Sequence, residues 1–126
     1  MTEPAFGAEL LERLRHEIEV EIETRPAADA PPHRTIIWVV VDAQDRVLIR
    51  SYRGAGARWY REATSGTATA LVVGDEVVPV SVELARDAER IRACSAELER
   101  KYAGDPATPA MVRDEVLDTT LELHPA

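Results

Sequence analysis

Two pairs of apolar segments, each pair separated by only a few polar residues, limit the folds open to this chain. Residues 35–41 are β-branched and almost wholly apolar, and the alternating segment 46–52 follows after a four-residue turn. Residues 67–73 and 76–84 flank Gly74-Asp75 in the same manner. Because such short connections join antiparallel neighbours, the two pairs predict two β-hairpins.

The periodicity of the apolar residues divides the rest of the chain into helices and strands. Apolar residues recur every three or four positions in the helical segments and alternate with polar residues in the strands. The expected helices are residues 9–18, 58–64, 84–102 (with Asp87 as the N-cap) and 108–116, and the expected further strands are residues 19–24 and 117–123.

Six strands joined mainly by tight turns predict an antiparallel sheet whose edges must be closed or covered. A small barrel or a strongly curled sheet satisfies that requirement. We therefore expect an α+β fold, with six strands and flanking helices. A chain of 126 residues is also the size of one domain. Within it we expect an N-terminal helix over residues 1–18, a barrel core over 19–84, and helices and a final strand over 85–126.

Charge and composition exclude several kinds of partner. The net charge of −8 argues against nucleic acid, which requires a basic surface. The longest strongly apolar run, residues 36–41, is far short of the roughly 20 residues of a membrane span. Residues 1–4 have no basic or apolar signal-peptide pattern, and Cys94 is the only cysteine. These features predict a cytoplasmic protein.

Positive charge is concentrated in the middle of the chain. Residues 25–61 contain seven arginines and three aspartates, and residues 46–61 contain five arginines and no acid. Guanidinium groups bind phosphate and carboxylate through paired donors. The two glycines of residues 54–57 allow the backbone to approach a ligand closely. The sequence thus indicates a site for a small anionic molecule, whereas Arg46 and Arg61 are more typical of a solvated face.

The candidate binding residues lie on the second and third predicted strands and on the short helix after them. Trp59 and Tyr60 could cover a flat ring, whereas Trp38 is more typical of a core than of a ligand platform. The histidines and Cys94 have no metal-ligand spacing, and no residue stands out as a catalytic acid or base. The full set of candidates is Arg34, Thr35, Trp38, Arg50, Ser51, Arg53, Arg58, Trp59 and Tyr60.

Residues 35–41, 47–54 and 58–61 resemble a bacterial family of small proteins of unassigned function. That family is related to split β-barrel proteins that bind flavins, including deazaflavin-dependent nitroreductases and pyridoxamine phosphate oxidase-like enzymes. The resemblance extends over residues 19–102. It implies a six-stranded split barrel, a homodimer with its cleft near the subunit interface, and an FMN or deazaflavin cofactor. The implied cofactor contacts are Arg34, Thr35, Arg50, Ser51, Arg53, Arg58, Trp59 and Tyr60.

One segment departs from the family pattern. Residues 25–32 include three prolines and are nearly neutral, where relatives often have glycine and further basic residues. This composition keeps a second hypothesis open, in which the chain binds no cofactor and is a binder or biosynthetic enzyme for a small anionic substrate. A third hypothesis is an interaction subunit whose barrel mainly dimerises. Fold alone does not choose among them.

Overall fold

A seven-stranded antiparallel sheet organises residues 5–126, the part of the chain that this computed structural model describes. Residues 1–4, on which the prediction about a signal peptide rests, lie outside that part. The strands are β1 (Val20–Thr24), β2 (His33–Ile37), β3 (Val39–Val41), β4 (Val47–Ile49), β5 (Thr69–Val73), β6 (Glu76–Leu84) and β7 (Leu121–Pro125). The helices are α1 (Ala8–His16), α2 (Arg58–Ala63), α3 (Ala88–Lys101) and α4 (Thr108–Met111), with 3-10 helices at Gly54–Gly56 and Asp114–Thr119.

The strand order shows how the sheet curls. Neighbouring strands follow the order β2-β1-β5-β6-β7-β4-β3, so β2 and β3 occupy opposite edges. Only Trp38 separates these two strands in sequence, so the two edges of the sheet lie next to each other at this residue. The expected α+β fold with a curled antiparallel sheet and flanking helices is confirmed. The structure has seven strands rather than the predicted six. The difference arises because the single predicted strand 35–41 divides at Trp38, where its pairing changes from β1 to β4.

The inner surface of the curled sheet holds the larger apolar core. Along β1, Val20, Ile22 and Thr24 are buried while the glutamates between them are half-buried, as the alternation predicted. Helix α1 adds Leu11 and Leu14 to this core. It ends at His16 rather than at residue 18, since the Glu17 backbone is already extended.

Helices α3 and α4 cover the outer face of β3 and β4. Cys94 and Leu98 of α3 pack with Val40 and Leu48 in a second apolar cluster. The predicted N-cap is confirmed, because the Asp87 side chain accepts a hydrogen bond from the backbone N–H of Arg90 at 3.0 Å. The buried face of α3 carries these apolar residues, and its charged residues lie on the opposite face.

The segment before the last strand differs from the prediction. Helix α4 ends at Met111 instead of residue 116, and a 3-10 helix follows. The hydroxyls of Thr119 and Thr120 donate to the carbonyls of Val116 and Leu117 at 2.6 and 2.7 Å. These local bonds stabilise the tight helix through residue 119, so β7 begins only at Leu121.

Both predicted hairpins are present. Asp42 Oδ1 accepts hydrogen bonds from the backbone N–H groups of Gln44 and Arg46, each at 2.9 Å, which fixes the β3–β4 turn. Gly74 adopts a φ of 61° in the β5–β6 turn, a conformation that favours glycine. Proline lacks the N–H that strand pairing uses, and β6 lies between β5 and β7. The pairing of β6 with β7 starts at Val80, so Pro79 lies outside it.

Candidate functional site

An open cleft lies between β2, the bend after β4 and the start of α2. It has a volume of about 740 Å³, and we call it the outer cleft. It gathers five of the nine predicted site residues. Its lining residues are Glu21, Arg34, Thr35, Ile36, Tyr52, Arg53, Ala57, Arg58 and Trp59.

The three arginines of the outer cleft differ in how far they are neutralised. Arg34 Nε donates to Glu23 Oε1 at 3.1 Å, in a pair whose arginine is nearly half exposed. Within residues 5–126, Arg53 and Arg58 are exposed and make no ion pair. Glu21 is the carboxylate in the lining itself. The charged residues that line the cleft therefore have a net positive charge, and an anion from solution can reach it.

A second, smaller cavity adjoins the outer cleft. It has a volume of about 210 Å³ and shares Ile36, Tyr52 and Trp59 with the outer cleft; we call it the inner cavity. Most of its walls are apolar or aromatic. Its other lining residues are Glu19, Ile37, Trp38, Arg50, Ala107 and Met111.

Arg50 is buried at the wall of the inner cavity, only 1% exposed. Its Nε donates to Thr120 Oγ1 at 2.9 Å, and its Nη1 donates to Ser95 Oγ at 2.8 Å. Nη1 and Nη2 also donate to the backbone carbonyls of Met111 and Ile91, each at 3.0 Å. All four acceptors are uncharged, and burial lowers the pKa of the guanidinium from its ordinary value. Arg50 thus joins the end of β4 to both outer helices and to Thr120, which precedes β7.

Trp38, in the wall of the inner cavity, belongs to a stacked aromatic pair. The rings of Trp38 and Tyr102 are parallel to within 4°, with centroids 3.9 Å apart. The Tyr102 hydroxyl donates to the carbonyl of Ile18 at 2.7 Å, which fixes the ring. Burial raises the pKa of this hydroxyl above its ordinary value. Trp38 is therefore held at the point where β2 becomes β3.

Two of the predicted residues line neither cavity. Ser51 is fully buried, and its hydroxyl donates to the carbonyl of Gly54 at 2.7 Å, within the bend that precedes α2. Tyr60 is buried in the main core, where burial raises its pKa. Its ring meets Trp59 edge-on at 6.0 Å and supports the cleft from behind.

Sequence reasoning missed a buried carboxylate beneath the outer cleft. Glu62 lies one helical turn after Arg58 and accepts hydrogen bonds from Thr24 Oγ1 at 2.9 Å and His33 Nδ1 at 3.0 Å. Burial alone would raise the pKa of the Glu62 carboxyl, but these hydrogen bonds and the charge of Arg58 outweigh it and lower the pKa. The spacing of Arg58 and Glu62 on one helix face was the available signal. Met111 and Ala107 gave none, because only the tertiary fold brings α4 to this site.

The curled sheet with a cleft where strands meet a helix defines the chain as a split-barrel protein, a fold that cofactor-binding proteins use. The chain belongs to the family described as an uncharacterized protein conserved in bacteria (DUF2255), which matches residues 10–123. No curated protein matches the sequence. Among residues 5–126, no helix is both long and apolar enough to cross a membrane.

Several solved structures share the fold at low sequence identity. HutZ, the heme storage protein from Vibrio cholerae, has a TM-score of 0.66 and 12% identity, over 97% of this chain and 91% of HutZ. A putative pyridoxamine 5'-phosphate oxidase from Listeria innocua has a TM-score of 0.62 and 11% identity, over 93% and 90%. An F420 reductase has a TM-score of 0.58 and 20% identity, over 96% and 94%. Identities this low show a common fold alone.

Proposed function

We propose that the outer cleft holds the phosphate of a flavin or deazaflavin, and that the protein is a small oxidoreductase-like cofactor-binding protein. The observation that carries this proposal is the pair of exposed guanidiniums, Arg53 and Arg58, which form no ion pair within residues 5–126. Arg34 lies on the β2 wall of the same cleft. Arginines arranged around a phosphate bind it through several charge-assisted hydrogen bonds.

The lining of the outer cleft fits both ends of such a cofactor. Its arginines and the Thr35 hydroxyl suit a phosphate, while the half-exposed ring of Tyr52 offers a flat surface and the largely buried Trp59 forms part of the wall. The edge-on contact with Tyr60 fixes the Trp59 ring before any ligand arrives. A bound flavin or deazaflavin would supply the hydride chemistry. The residues of this chain would bind the phosphate and orient the ring.

The structural neighbours support the same reading by analogy. An F420 reductase and a putative pyridoxamine 5'-phosphate oxidase have this fold over more than nine-tenths of this chain. Function belongs to the site and not to the fold, so the arginines of the outer cleft must carry the proposal.

A titration with three ligands tests the proposal. FMN, riboflavin and a deazaflavin coenzyme are each added to the purified protein, and binding is followed through ligand fluorescence. If the arginines hold the phosphate, FMN should bind at least about tenfold more tightly than riboflavin, which lacks it, a difference of about 1.4 kcal/mol. Arg58→Ala should weaken FMN binding by a similar factor. Arg61→Ala, which removes an exposed arginine of the same helix outside the cleft, should leave it unchanged.

The outcome that overturns the proposal is equally definite. If neither FMN nor the deazaflavin coenzyme binds at concentrations up to about 1 mM, corresponding to less than about 4 kcal/mol of binding free energy, the cofactor reading is wrong. Equal affinities for FMN and riboflavin would show that the arginines do not hold the phosphate.

A second candidate function uses the same cleft without a cofactor. Arg25, the basic residue of the proline-rich loop 25–32, donates Nη1 to the carbonyl of Ala30 in its own loop at 2.6 Å. Because Asp29 balances this arginine, the loop is nearly neutral and adds no net positive charge for a long polyanionic tail. This observation favours a compact phosphate or carboxylate substrate. Tight binding of inorganic phosphate, with no added affinity for FMN, would select this function.

We further propose that the protein acts as a homodimer, in the reducing environment that its lone buried cysteine suits. Ile36 and Tyr52, at the rim of the outer cleft, are 60% and 50% exposed although both are large and partly apolar. A second copy of the chain would cover them. Ile36→Glu should convert a dimer to a monomer in light scattering, whereas Val77→Glu, at an exposed valine of β6, should not. A wild-type protein that is monomeric throughout would exclude the dimer and the interaction-subunit hypothesis.

A further inference from the structure

The positive charge of Arg50 has no opposite charge beside it in the described part of the chain. Its four hydrogen-bond acceptors are two hydroxyls and two backbone carbonyls. The neighbouring Cys94 does not supply the charge, because burial raises the pKa of its thiol to about 11 and keeps it neutral. A buried cation that meets only neutral dipoles retains a strong attraction for an anion that can reach it.

The inner cavity gives such an anion access to Arg50. A guanidinium has five N–H donors, and the structure commits four of them to protein acceptors. Arg50 nevertheless forms part of the cavity wall. The positive charge of the group, which no ion pair neutralises within residues 5–126, therefore lies at the wall of the cavity.

The size and walls of the inner cavity limit the body of the ligand. Its volume of about 210 Å³ lies below the range of roughly 300–1,000 Å³ that is typical of sites for drug-sized molecules. Trp38, Trp59 and Met111 provide flat or apolar surfaces. The stack on Tyr102 holds the Trp38 ring in place. The cavity thus suits one ring, bound between aromatic faces.

Charge at the cavity opening limits the head group. Glu19 is exposed and lines the cavity together with Arg50. The Glu19 carboxylate repels a dianion such as phosphate more strongly than it repels a monoanion. A monoanion on an apolar ring meets the attraction of Arg50 with the least repulsion from Glu19.

We propose that the inner cavity is a binding site for a small aromatic carboxylate, separate from the phosphate site of the outer cleft. Arg50 attracts the carboxylate, and Trp38 and Trp59 enclose the ring. The shared wall of Ile36, Tyr52 and Trp59 places this ligand next to whatever occupies the outer cleft. If the proposed cofactor binds there, the aromatic acid is the class of substrate that would lie beside it, yet its binding requires no cofactor.

The two tryptophans of the chain provide a direct readout. Both Trp38 and Trp59 line the inner cavity, so intrinsic tryptophan fluorescence reports on its occupant. The protein is titrated with benzoate and, in parallel, with benzyl alcohol, which has the same ring without the charge. Benzoate should change the emission and bind at least about tenfold more tightly than the alcohol. Equal affinities, or no change with benzoate, would overturn the proposal.

Two variants keep the test independent of folding. Arg50→Met should lower benzoate affinity by at least about tenfold. Because this change also removes four hydrogen bonds, Ala107→Phe is made as well, which fills the cavity and leaves Arg50 intact. It should abolish benzoate binding, whereas Ala96→Phe, at an exposed position of α3, should not. Unchanged binding in Ala107→Phe would overturn the proposal even if Arg50→Met failed to fold.

The outer-cleft variant separates this inference from the proposed function. Arg58 does not line the inner cavity, so Arg58→Ala should leave benzoate affinity within about twofold while it weakens FMN binding. Loss of FMN binding with benzoate binding intact supports two sites. A parallel loss of benzoate binding would show a single site and would refute a separate inner one.

Discussion

The outer cleft and the inner cavity share a wall but hold their arginines in opposite ways. Arg53 and Arg58 line an open cleft and form no ion pair within residues 5–126, whereas Arg50 is buried and donates four hydrogen bonds to neutral groups. An exposed guanidinium can exchange water for a ligand without disturbing the fold. A buried guanidinium instead connects elements of the fold through its hydrogen bonds. Arg50, Arg53 and Arg58 are close in sequence, but the fold gives them different roles.

The largest difference between the two regions should appear in stability. Arg50→Met removes the donors that join the end of β4 to α3, α4 and Thr120, and it leaves buried acceptors unpaired. We expect it to lower the free energy of unfolding by about 4 kcal/mol. Arg58→Ala should change it by less than about 0.5 kcal/mol. Urea denaturation of both variants checks this, and equal small effects would contradict the structural role of Arg50.

The aromatic residues of the two cavities should also differ in their contribution to stability, the more buried one contributing more, but by less than the arginines do. Trp38 is stacked on Tyr102, so Trp38→Ala leaves a void at the junction of β2 and β3. We expect a loss of about 3 kcal/mol in the free energy of unfolding. Tyr52→Ala, at a half-exposed ring of the shared wall, should cost about 0.5 kcal/mol. Thermal denaturation that ranks Tyr52→Ala above Trp38→Ala would reverse the comparison.

Acid should weaken the support beneath the outer cleft. The pKa of Glu62 is lower in the folded protein than its unfolded value of about 4.3, so Glu62 stabilises the fold above that pH. This contribution is lost as the pH falls through the folded pKa. We expect Glu62→Gln to be less stable than the wild type by about 1.5 kcal/mol at pH 7, because a charged acceptor is lost.

The pH dependence supplies the control for that prediction. The gap in stability between the wild type and Glu62→Gln should narrow as the pH falls below about 4, where the wild-type carboxyl is progressively protonated. Glu99→Gln, at an exposed glutamate of α3, should show no such change. A gap that is constant with pH would show that the charge of Glu62 contributes nothing.

The smallest effect concerns the one paired arginine of the outer cleft. Glu23→Gln removes the partner of Arg34 and should free its guanidinium for an anion. Because exposed ion pairs contribute roughly 0–1 kcal/mol, affinity for FMN should rise by no more than about fivefold. Glu76→Gln breaks the similar Arg13 pair on another surface and should leave that affinity unchanged. Weaker FMN binding in Glu23→Gln would mean that the pair positions Arg34 for the ligand.

Much of the fold could be predicted from local patterns. Both hairpins, helix α3 and its Asp87 cap follow from periodicity and turn chemistry that act over a few residues. The division of residues 35–41 at Trp38 could not be predicted, because both halves have the same apolar composition. Only their partners, β1 and β4, distinguish them. The 3-10 helix before β7 was missed for a related reason, since two threonine hydroxyls compete with the expected helix.

The candidate site was predictable as a set of residue types and not as a geometry. Five of the nine predicted residues line the outer cleft, and Trp38, Arg50 and Trp59 line the inner cavity. The positions of Ser51 and Tyr60, inside the bend and the core, depend on packing that no short window of sequence contains. Glu62 and Met111 enter the site from segments that the charge pattern did not single out.

The sequence by itself determined the antiparallel hairpins, the surplus of arginine in the middle of the chain and the aromatic residues beside it. These follow from backbone preferences and charge, which act locally. The tertiary structure decided which arginine is buried and which are exposed. The reason is that burial of Arg50 depends on Ser95, Met111 and Thr120, residues more than 40 positions away that the closed sheet brings to β4.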